Sequence, residues 1–155
     1  MKVTAIVPAY NEADRILAVL KAVTGAGMVD EVVVVSDGST DATYEIAAGT
    51  EGVRAIRLDQ NRGKAAAMCA GARETDADCL VFLDADLIGL RPEHVNSIVR
   101  PVAAGEAEMC VGVFKGGRML TDLAQKIAPV ISGQRAILRA RFLSSPGLEY
   151  VRRGV

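Results

Sequence analysis

Short apolar runs alternate with helical segments along residues 1–86, and this alternation restricts the fold more than any other feature of the sequence. The apolar runs, at residues 3–8, 31–36, 53–58 and 79–83, have the length and composition of strands. The segments between them have apolar residues at helical spacing or are rich in alanine. Because a helix separates each strand from the next, the strands run parallel. We therefore predict an α/β fold, Rossmann-like and doubly wound, with a mostly parallel sheet and helices on both faces.

The rest of the chain continues this pattern less regularly. A helix is predicted near residues 92–104, a strand near 108–114 and a helix near 120–127, whereas the pattern is too irregular to assign from Pro129 onward. No repeat, low-complexity tract or linker interrupts the sequence. We therefore expect a single domain over residues 1–155.

Composition excludes several classes of protein. Half of the residues are apolar and the net charge is -1, which is typical of a packed domain and not of a disordered chain. No apolar run reaches the roughly 18–20 residues of a membrane span. The lack of tryptophan and the balanced charge argue against a nucleic-acid partner. The three cysteines form no disulfide or metal-ligand pattern and no signal peptide is visible, so we expect a cytoplasmic location.

Charge divides the chain into two parts. Residues 1–86 hold 8 basic and 14 acidic side chains, a net charge of −6, and residues 87–155 hold 10 basic and 5 acidic ones, a net charge of +5. The second part contains five arginines near its end: Arg135, Arg139, Arg141, Arg152 and Arg153. Two interpretations are open, namely solvated faces of one domain, or a basic surface that meets a phosphate or an anionic membrane.

A polar cluster follows each of the four predicted strands. The clusters are Tyr10-Asn11-Glu12, Ser36-Asp37-Gly38-Ser39, Asn61-Arg62-Gly63-Lys64 and Asp84-Ala85-Asp86. In open α/β sheets, ligands bind in the crevice at the carboxyl ends of the strands. The four clusters together therefore predict one binding site at that edge of the sheet.

The cluster Asp84-Ala85-Asp86 is the most informative of the four. Two carboxylates separated by one small residue, directly after a buried strand, present oxygen ligands to a hard divalent cation. Without a cation the carboxylates would repel each other, and one would take up a proton. Water and the phosphates of a ligand would complete the coordination that Mg²⁺ prefers. The alternative is a solvated turn, since an Asp-x-Asp triplet is common by chance.

The first two clusters have both a binding and a structural interpretation. Asp37 can accept a hydrogen bond from a base or a ribose, whereas Ser39 is as well explained as a helix cap. Asn11 is predicted to cap the helix that follows it, with Glu12 in the first turn of that helix.

The same ambiguity applies to three further side chains. Lys64 and Arg62 either face a diphosphate or belong to a solvated turn before an alanine-rich helix. Tyr10 either lines a pocket for a base or is a partly buried loop aromatic.

The sequence lacks the residues of other common nucleotide-binding motifs and catalytic groups. The sequence has no G-x-x-x-x-G-K-[ST] motif and no G-x-G-x-x-G after a strand. Its single histidine, His94, lies at a predicted helix start and is explained as a solvated residue. We therefore expect neither a Ser-His-Asp nor a Cys-His device.

Five segments resemble family 2 glycosyltransferases of the GT-A fold, which transfer a sugar from a nucleotide-sugar donor. They are IVPAYNE (6–12), VVSDGSTD (34–41), NRGKAAAM (61–68), VFLDADL (81–87) and SGQRA (132–136). The segments follow the family's order over nearly the whole chain. The chain is most similar to small bacterial members that look like dolichyl-phosphate mannosyltransferases and glucosyl-3-phosphoglycerate synthases.

The resemblance implies a role for each matching residue. The nucleotide-sugar site would comprise Pro8, Ala9, Tyr10, Glu12, Asp37, Gly38, Lys64, Asp84, Ala85 and Asp86. Glu12 would lie near the ribose, and Asp37 would pair with the base. Asp84 would approach the ribose or the donor sugar.

Catalytic, metal and acceptor roles follow from the same resemblance. Asp86, with Asp84, would hold Mg²⁺ or Mn²⁺ against the diphosphate. The catalytic residues would be Asp86, Lys64 and Arg135. The acceptor side would be formed by Ser132, Gly133, Gln134 and Arg135.

The chain departs from the family's pattern at two places. Ser36 stands where the family often has a first acidic residue before Gly-Ser. Similar proteins usually continue past Val155 with a strand and a helix, so we expect a truncation on the acceptor side. The acidic residue that follows a Gly-x pair in several of them is missing, and the nearest carboxylate is Glu149.

The expected activity is transfer of a hexose from a UDP- or GDP-hexose to an acceptor. A cation on Asp86, with Lys64 or Arg135 nearby, would neutralise charge on the leaving nucleoside diphosphate. The missing base and the arginine-rich end favour an acceptor that is already ionised, either a polyprenyl phosphate or a small phosphate-bearing molecule. The alternatives are a non-catalytic nucleotide-sugar-binding domain and a nucleotidyltransferase. A homodimer and a peripheral contact with the inner membrane face are left open.

Overall fold

The computed structural model of the chain describes residues 1–112 and 133–145. The strands within these ranges are β1 (Val3–Ala9), β2 (Glu31–Asp37), β3 (Val53–Leu58), β4 (Cys79–Phe82), β5 (Met109–Val111) and β6 (Arg135–Leu138). The helices there are α1 (Ile16–Thr24), α2 (Thr43–Ala48), α3 (Lys64–Arg73), α4 (Pro92–Ala103) and α5 (Arg139–Leu143). The helix predicted at 120–127 lies outside the described residues.

The six strands form one sheet in the order β3-β2-β1-β4-β6-β5. β1 to β4 are parallel to one another, and β6 runs antiparallel to both of its neighbours, β4 and β5. The mostly parallel, doubly wound sheet predicted from the sequence is thus confirmed. The direction of winding reverses between β1 and β4, which is where such sheets form a ligand-binding crevice.

Apolar side chains cover both faces of this sheet. On one face Val7, Val34 and Val81 belong to a core with helices α1 and α4. On the other face Ile6 and Phe82 pack with α3 and α5. Each fully buried side chain of this size contributes about 1.5–3 kcal/mol relative to exposure. The two buried faces explain why the central strands are continuous apolar runs and not alternating ones.

Two helix starts differ from the prediction. α1 begins at Ile16 and not directly after Asn11, whose side chain bonds to the loop after β2 instead. α2 begins at Thr43 without a side-chain cap from Ser39 or Thr40. These polar side chains find partners in neighbouring loops, which sequence spacing alone does not reveal.

The amino-terminal edge of the sheet holds a polar network around Glu31. The carboxylate accepts hydrogen bonds from the hydroxyls of Thr4 and Thr75, each at 3.1 Å, and from Nη2 of Arg54 at 2.8 Å. Burial by itself raises the pKa of Glu31, but the hydrogen bonds from Arg54, Thr4 and Thr75 outweigh it and hold the pKa below its ordinary value. The ionised form of Glu31 therefore stabilises the fold.

Glu31→Gln is expected to lower the free energy of unfolding by about 1–2 kcal/mol at pH 7. Since the folded-state pKa is depressed, the contribution of the carboxylate is complete above the ordinary pKa of 4.5 and is lost as the pH falls below it. Urea unfolding should therefore show the wild type and the variant converging in stability toward acid pH. Glu51→Gln, at an exposed position, is the matched control and should follow the wild type throughout. A gap between Glu31→Gln and wild type that persists in acid would contradict the prediction.

Three of the five arginines noted in the sequence lie in the described part of the chain. Arg139 donates to the carbonyl of Ala72 at 3.0 Å, and Arg141 pairs with Glu108 at 2.7 Å. Arg135 lies against the ring of Phe82. These contacts are structural, whereas Arg152 and Arg153 lie outside the described residues. None of the described helices is long and apolar enough to cross a membrane.

Candidate functional site

A cavity of about 350 Å³ opens at the carboxyl ends of β1, β2 and β4 and at the start of α3. Its lining contains residues from all four polar clusters: Pro8, Ala9, Tyr10, Glu12, Asp37, Asn61, Gly63, Lys64, Ala67, Asp84, Ala85 and Asp86. The expectation that the four clusters meet at one edge of the sheet is therefore confirmed. Gly38 is the one member of the predicted donor site that is not part of the lining.

The loop after β1 is fastened to the loop after β2. The side-chain oxygen of Asn11 accepts the backbone N–H of Thr40 at 2.8 Å, and the N–H of Asn11 donates to Oγ of Ser39 at 3.2 Å. The N–H of Glu12 donates to Oγ1 of Thr43 at 2.8 Å. Because these bonds hold the two loops together, the cavity wall that carries Tyr10 and Glu12 is fixed before any ligand arrives.

Two acidic side chains, those of Asp41 and Glu12, lie where the loops after β1 and β2 meet, and their environments differ. Asp41 accepts hydrogen bonds from the side chain and backbone of Thr43 and from the N–H of Ala13, and these bonds keep the pKa of Asp41 below its ordinary value. Glu12 instead has Oε2 buried, 3.2 Å from Nε of Arg15 but not aligned for a hydrogen bond. This oxygen is enclosed by the protein and accepts no hydrogen bond from the residues that the structure describes.

Asp37 connects the end of β2 to the loop before α3. Its side chain is buried, Oδ1 accepts the N–H of Arg62 at 2.9 Å, and Oδ2 accepts the N–H of Gly63 at 2.8 Å. Gly38 follows with φ +69° and lies so close to the same loop that an added Cβ would be 2.3 Å from the N of Asn61. Gly38 therefore serves the site as a spacer between two backbones, and its predicted contact with a donor stays untested.

Asp84 is the point at which three elements meet. Its Oδ1 forms an ion pair with the ammonium group of Lys64, and Nε2 of Gln134 lies 3.4 Å from Oδ2. An added Cβ at Gly133 would lie 2.2 Å from Oδ2 of Asp84, so a larger residue there would require the carboxylate of Asp84 to move. Gly133 and Gln134, predicted on the acceptor side, thus contact Asp84 directly.

Arg135, also predicted on the acceptor side and as a catalytic residue, opens β6. It lies opposite Phe82 in the register with β4, and its guanidinium carbon is 5.9 Å from the centre of that ring. Its Nε is buried and has no hydrogen-bond partner in the described ranges 1–112 and 133–145. The catalytic role of Arg135 stays a prediction, and Ser132 lies outside the described residues.

Asp86 differs from Asp84 in its lack of partners among the described residues. It is exposed, lines the cavity, and forms no hydrogen bond or ion pair with the part of the chain that the structure describes. Its carboxylate is therefore available to a ligand. Within that part, no group of three acidic, histidine or cysteine residues could enclose a metal. The donor set fits a hard cation that takes one or two carboxylates and fills its other positions with water and phosphate, as Mg²⁺ does.

Sequence reasoning missed three residues of the lining. Asn61 and Gly63 belong to the third polar cluster but were not singled out as site residues. Ala67 lies three residues after Lys64 on α3, so helical spacing from Lys64 could have identified it.

Comparison with known proteins was made by sequence and by structure. The family model for glycosyl transferase family 2 matches residues 4–148. Glucosyl-3-phosphoglycerate synthase of Mycobacterium tuberculosis is 30% identical over 149 residues, which are 90% of this chain and 46% of that protein. Dolichol-phosphate mannosyltransferase of Pyrococcus furiosus is 32% identical over 126 residues, which are 77% of this chain and 35% of that one.

A solved structure is similar to this chain over most of its length. The crystal structure of the Mycobacterium tuberculosis synthase in complex with Mn²⁺ and UDP-glucose superposes with a TM-score of 0.79 at 28% identity, over 94% of this chain and 58% of that one. Its fold matches the predicted GT-A class. The chain spans about half the length of the curated relatives that it matches.

Proposed function

The chain belongs to glycosyl transferase family 2, and we therefore propose that it carries the donor site of an enzyme that transfers a hexose from a nucleoside-diphosphate sugar. One observation supports this above the others. The ends of β1, β2 and β4 and the start of α3 place the acidic residues Asp84 and Asp86 and the cation Lys64 around one cavity. Its volume falls within the range of about 300–1,000 Å³ that is usual for small-molecule sites.

In this proposal, different residues of the cavity bind different parts of the donor. The wall formed by 8–12 would receive the base and the ribose, with Glu12 near the ribose. Asp86, assisted by Asp84, would hold Mg²⁺ or Mn²⁺. When bound, the cation supplies positive charge to the diphosphate that leaves. Lys64 would add a second positive charge, and its ion pair with Asp84 keeps the ammonium group at the cavity.

Uracil is the first base to test. The solved structure with the TM-score of 0.79 contains UDP-glucose, and its cation is Mn²⁺. A GDP-hexose is the second candidate. The wall of this cavity that carries Tyr10 and Glu12 is already held by hydrogen bonds, so the choice of base depends on shape more than on rearrangement.

The acceptor we propose carries a phosphate. The same mycobacterial synthase has been crystallised with phosphoglyceric acid, and dolichol-phosphate mannosyltransferase has a polyprenyl phosphate in its name. A phosphate oxygen that itself attacks the sugar, as in a polyprenyl phosphate, is already ionised and needs no general base, whereas a hydroxyl of phosphoglyceric acid or of a sugar needs one within hydrogen-bond reach. Transfer to an acceptor whose phosphate oxygen attacks should therefore be faster than transfer to a neutral sugar, and equal rates would contradict this choice.

Calorimetry with UDP-glucose and GDP-mannose, each with and without Mn²⁺, tests the donor site. We expect one nucleotide sugar to bind, and Mn²⁺ to tighten its binding by about tenfold or more. Failure of both to bind in the presence of Mn²⁺ would overturn the proposal.

Product analysis separates the three candidate functions. Mn²⁺-dependent release of nucleoside diphosphate in the presence of an acceptor indicates the transferase. Binding without release would indicate a non-catalytic nucleotide-sugar-binding domain. Release of pyrophosphate from a nucleoside triphosphate and a sugar phosphate would indicate a nucleotidyltransferase. A single domain over residues 1–155, a cytoplasmic location, a peripheral membrane contact and a homodimer stay predictions.

A further inference from the structure

We propose that Thr43 is a positioning residue of the donor site: its hydroxyl, oriented by Asp41, holds the backbone of Glu12 and so sets the position of the Glu12 side chain in the cavity wall. Thr43 belongs to none of the four polar clusters that the sequence shows. The inference rests on the proposed function for its effect on nucleotide binding. Its structural part, the hold on Glu12, concerns only the chain itself.

The first support is that Thr43 is placed where no ligand can touch it. Thr43 is 0% exposed and is not part of the cavity lining, whereas Glu12 is part of it. A fully buried polar side chain is expected to satisfy its hydrogen bonds within the protein. Any influence of Thr43 on the donor therefore has to pass through the residues that Thr43 contacts.

The second support is the direction of the hydrogen bonds at Thr43. Its hydroxyl donates to Oδ1 of Asp41, because an ionised carboxylate can only accept. This hydrogen bond holds the pKa of Asp41 below its ordinary value, so the carboxylate stays ionised at neutral pH. With its proton committed to Asp41, Oγ1 of Thr43 is left as the acceptor for the N–H of Glu12, which lies 2.8 Å away.

The third support is that the backbone of Glu12 is held at both of its polar groups. Its carbonyl accepts the N–H of Ile16, the first residue of α1, at 2.9 Å, while its N–H is held by Thr43, the first residue of α2. The next N–H, that of Ala13, donates to Oδ2 of Asp41 at 3.1 Å. These bonds fix the direction in which the side chain of Glu12 leaves the backbone. A change at Thr43 is therefore expected to reach the donor through Glu12.

Hydrogen exchange of the nucleotide-free chain tests the structural part. In the wild type, the amides of Glu12 and Ala13 should be protected, and exchange at the rate of an unstructured chain would overturn the proposal. Thr43→Val keeps the shape of the side chain but removes the acceptor, so the amide of Glu12 should exchange about tenfold faster. Asp41→Ala should release both amides, since it removes the acceptor of Ala13 and the partner of Thr43. An unchanged rate for Glu12 in Thr43→Val would also overturn the proposal.

Titration with UDP and with GDP, each in the presence of Mn²⁺, tests the functional part. For the nucleotide that binds, Thr43→Val should lower the affinity by about tenfold, whereas Thr43→Ser, which keeps the hydroxyl, should stay within about threefold of the wild type. An equal loss in both variants would show that the methyl group matters and not the hydroxyl, and would overturn the proposal.

Thr50→Val is the matched control, since it makes the same chemical change just beyond the other end of α2. Oγ1 of Thr50 donates to the carbonyl of Ile46 at 2.7 Å, and Thr50 does not line the cavity. This variant should lower stability but leave the exchange of the Glu12 amide and the nucleotide affinity unchanged. A loss of affinity as large as that of Thr43→Val would show that general destabilisation explains both, against the proposal.

A double-mutant cycle with Glu12→Gln completes the test. If Thr43 acts through Glu12, the variant that combines Thr43→Val with Glu12→Gln should lose little more affinity than Glu12→Gln alone. Independent, multiplicative losses would overturn the proposal. If the wild type binds neither UDP nor GDP, the proposed function fails, and the exchange rates of the nucleotide-free chain still decide whether Thr43 holds Glu12.

Discussion

Asp86→Asn is expected to remove the metal-dependent part of nucleotide-sugar binding and to slow sugar transfer by about a hundredfold or more. The side chain lines the cavity, is exposed, and has no hydrogen-bond or ion-pair partner among the described residues. An asparagine keeps the shape of the side chain but offers a hard cation one neutral oxygen in place of a carboxylate. Manganese binding followed by electron paramagnetic resonance, with the nucleotide present and absent, measures the loss without relying on turnover.

The stability of this variant separates a lost ligand from a damaged fold. Because Asp86 makes no hydrogen bond or ion pair with the described ranges, urea unfolding of Asp86→Asn should match the wild type within about 0.5 kcal/mol. Asp14→Asn removes one negative charge at an exposed position outside the cavity lining and should keep both metal and donor binding. Metal-dependent binding that survives in Asp86→Asn would show that the cation is held elsewhere.

The parallel part of the sheet could be predicted because each of its strands, and the helix that follows it, is recognisable from neighbouring residues in the sequence. The runs of β1, β2 and β4 are apolar on both faces, and a helix follows each of the four strands, which leaves parallel strands as the consistent solution. The antiparallel strand β6 is different. Its four residues, Arg135–Leu138, include only three apolar ones, and its strand conformation depends on pairing with β4, more than fifty residues earlier in the chain. Such non-local pairing leaves no periodic signal in the sequence.

The position of the site at the edge of the sheet could also be predicted from the sequence. The hydrogen-bond partners within the site could not. The doubly wound topology brings the carboxyl ends of the strands together, so the four polar clusters had to meet. Which atoms meet depends on loop geometry. Asn11 is predicted to cap a helix and instead accepts the N–H of Thr40. Asp37 accepts two backbone N–H groups that the sequence does not predict, and its contact with a base stays a prediction. A polar side chain next to a helix start has several partners of similar energy, and tertiary distance decides among them.

The close contact at Gly38 leads to the largest expected effect on stability. Gly38→Ala should lower the free energy of unfolding by about 2–5 kcal/mol, because the residue must keep φ at +69° and the added Cβ would lie 2.3 Å from the N of Asn61. The clash is with backbone atoms of Gln60 and Asn61, so no flexible side chain can move away to relieve it. The loop before α3 or the end of β2 has to shift, and nucleotide binding should weaken together with stability. Urea unfolding and UDP titration of the same preparation measure the two effects.

Gly27→Ala is the matched control for this substitution. An added Cβ at Gly27 would meet nothing within 4 Å, so the same chemical change should alter the free energy of unfolding by no more than about 1 kcal/mol. If the two variants were equally stable, the loop would be able to withdraw from Gly38 at no cost. The close approach between the end of β2 and residues 60–61 would then not be needed to hold the cavity. A large difference between them would show instead that glycine at position 38 is required by the contact and not merely tolerated.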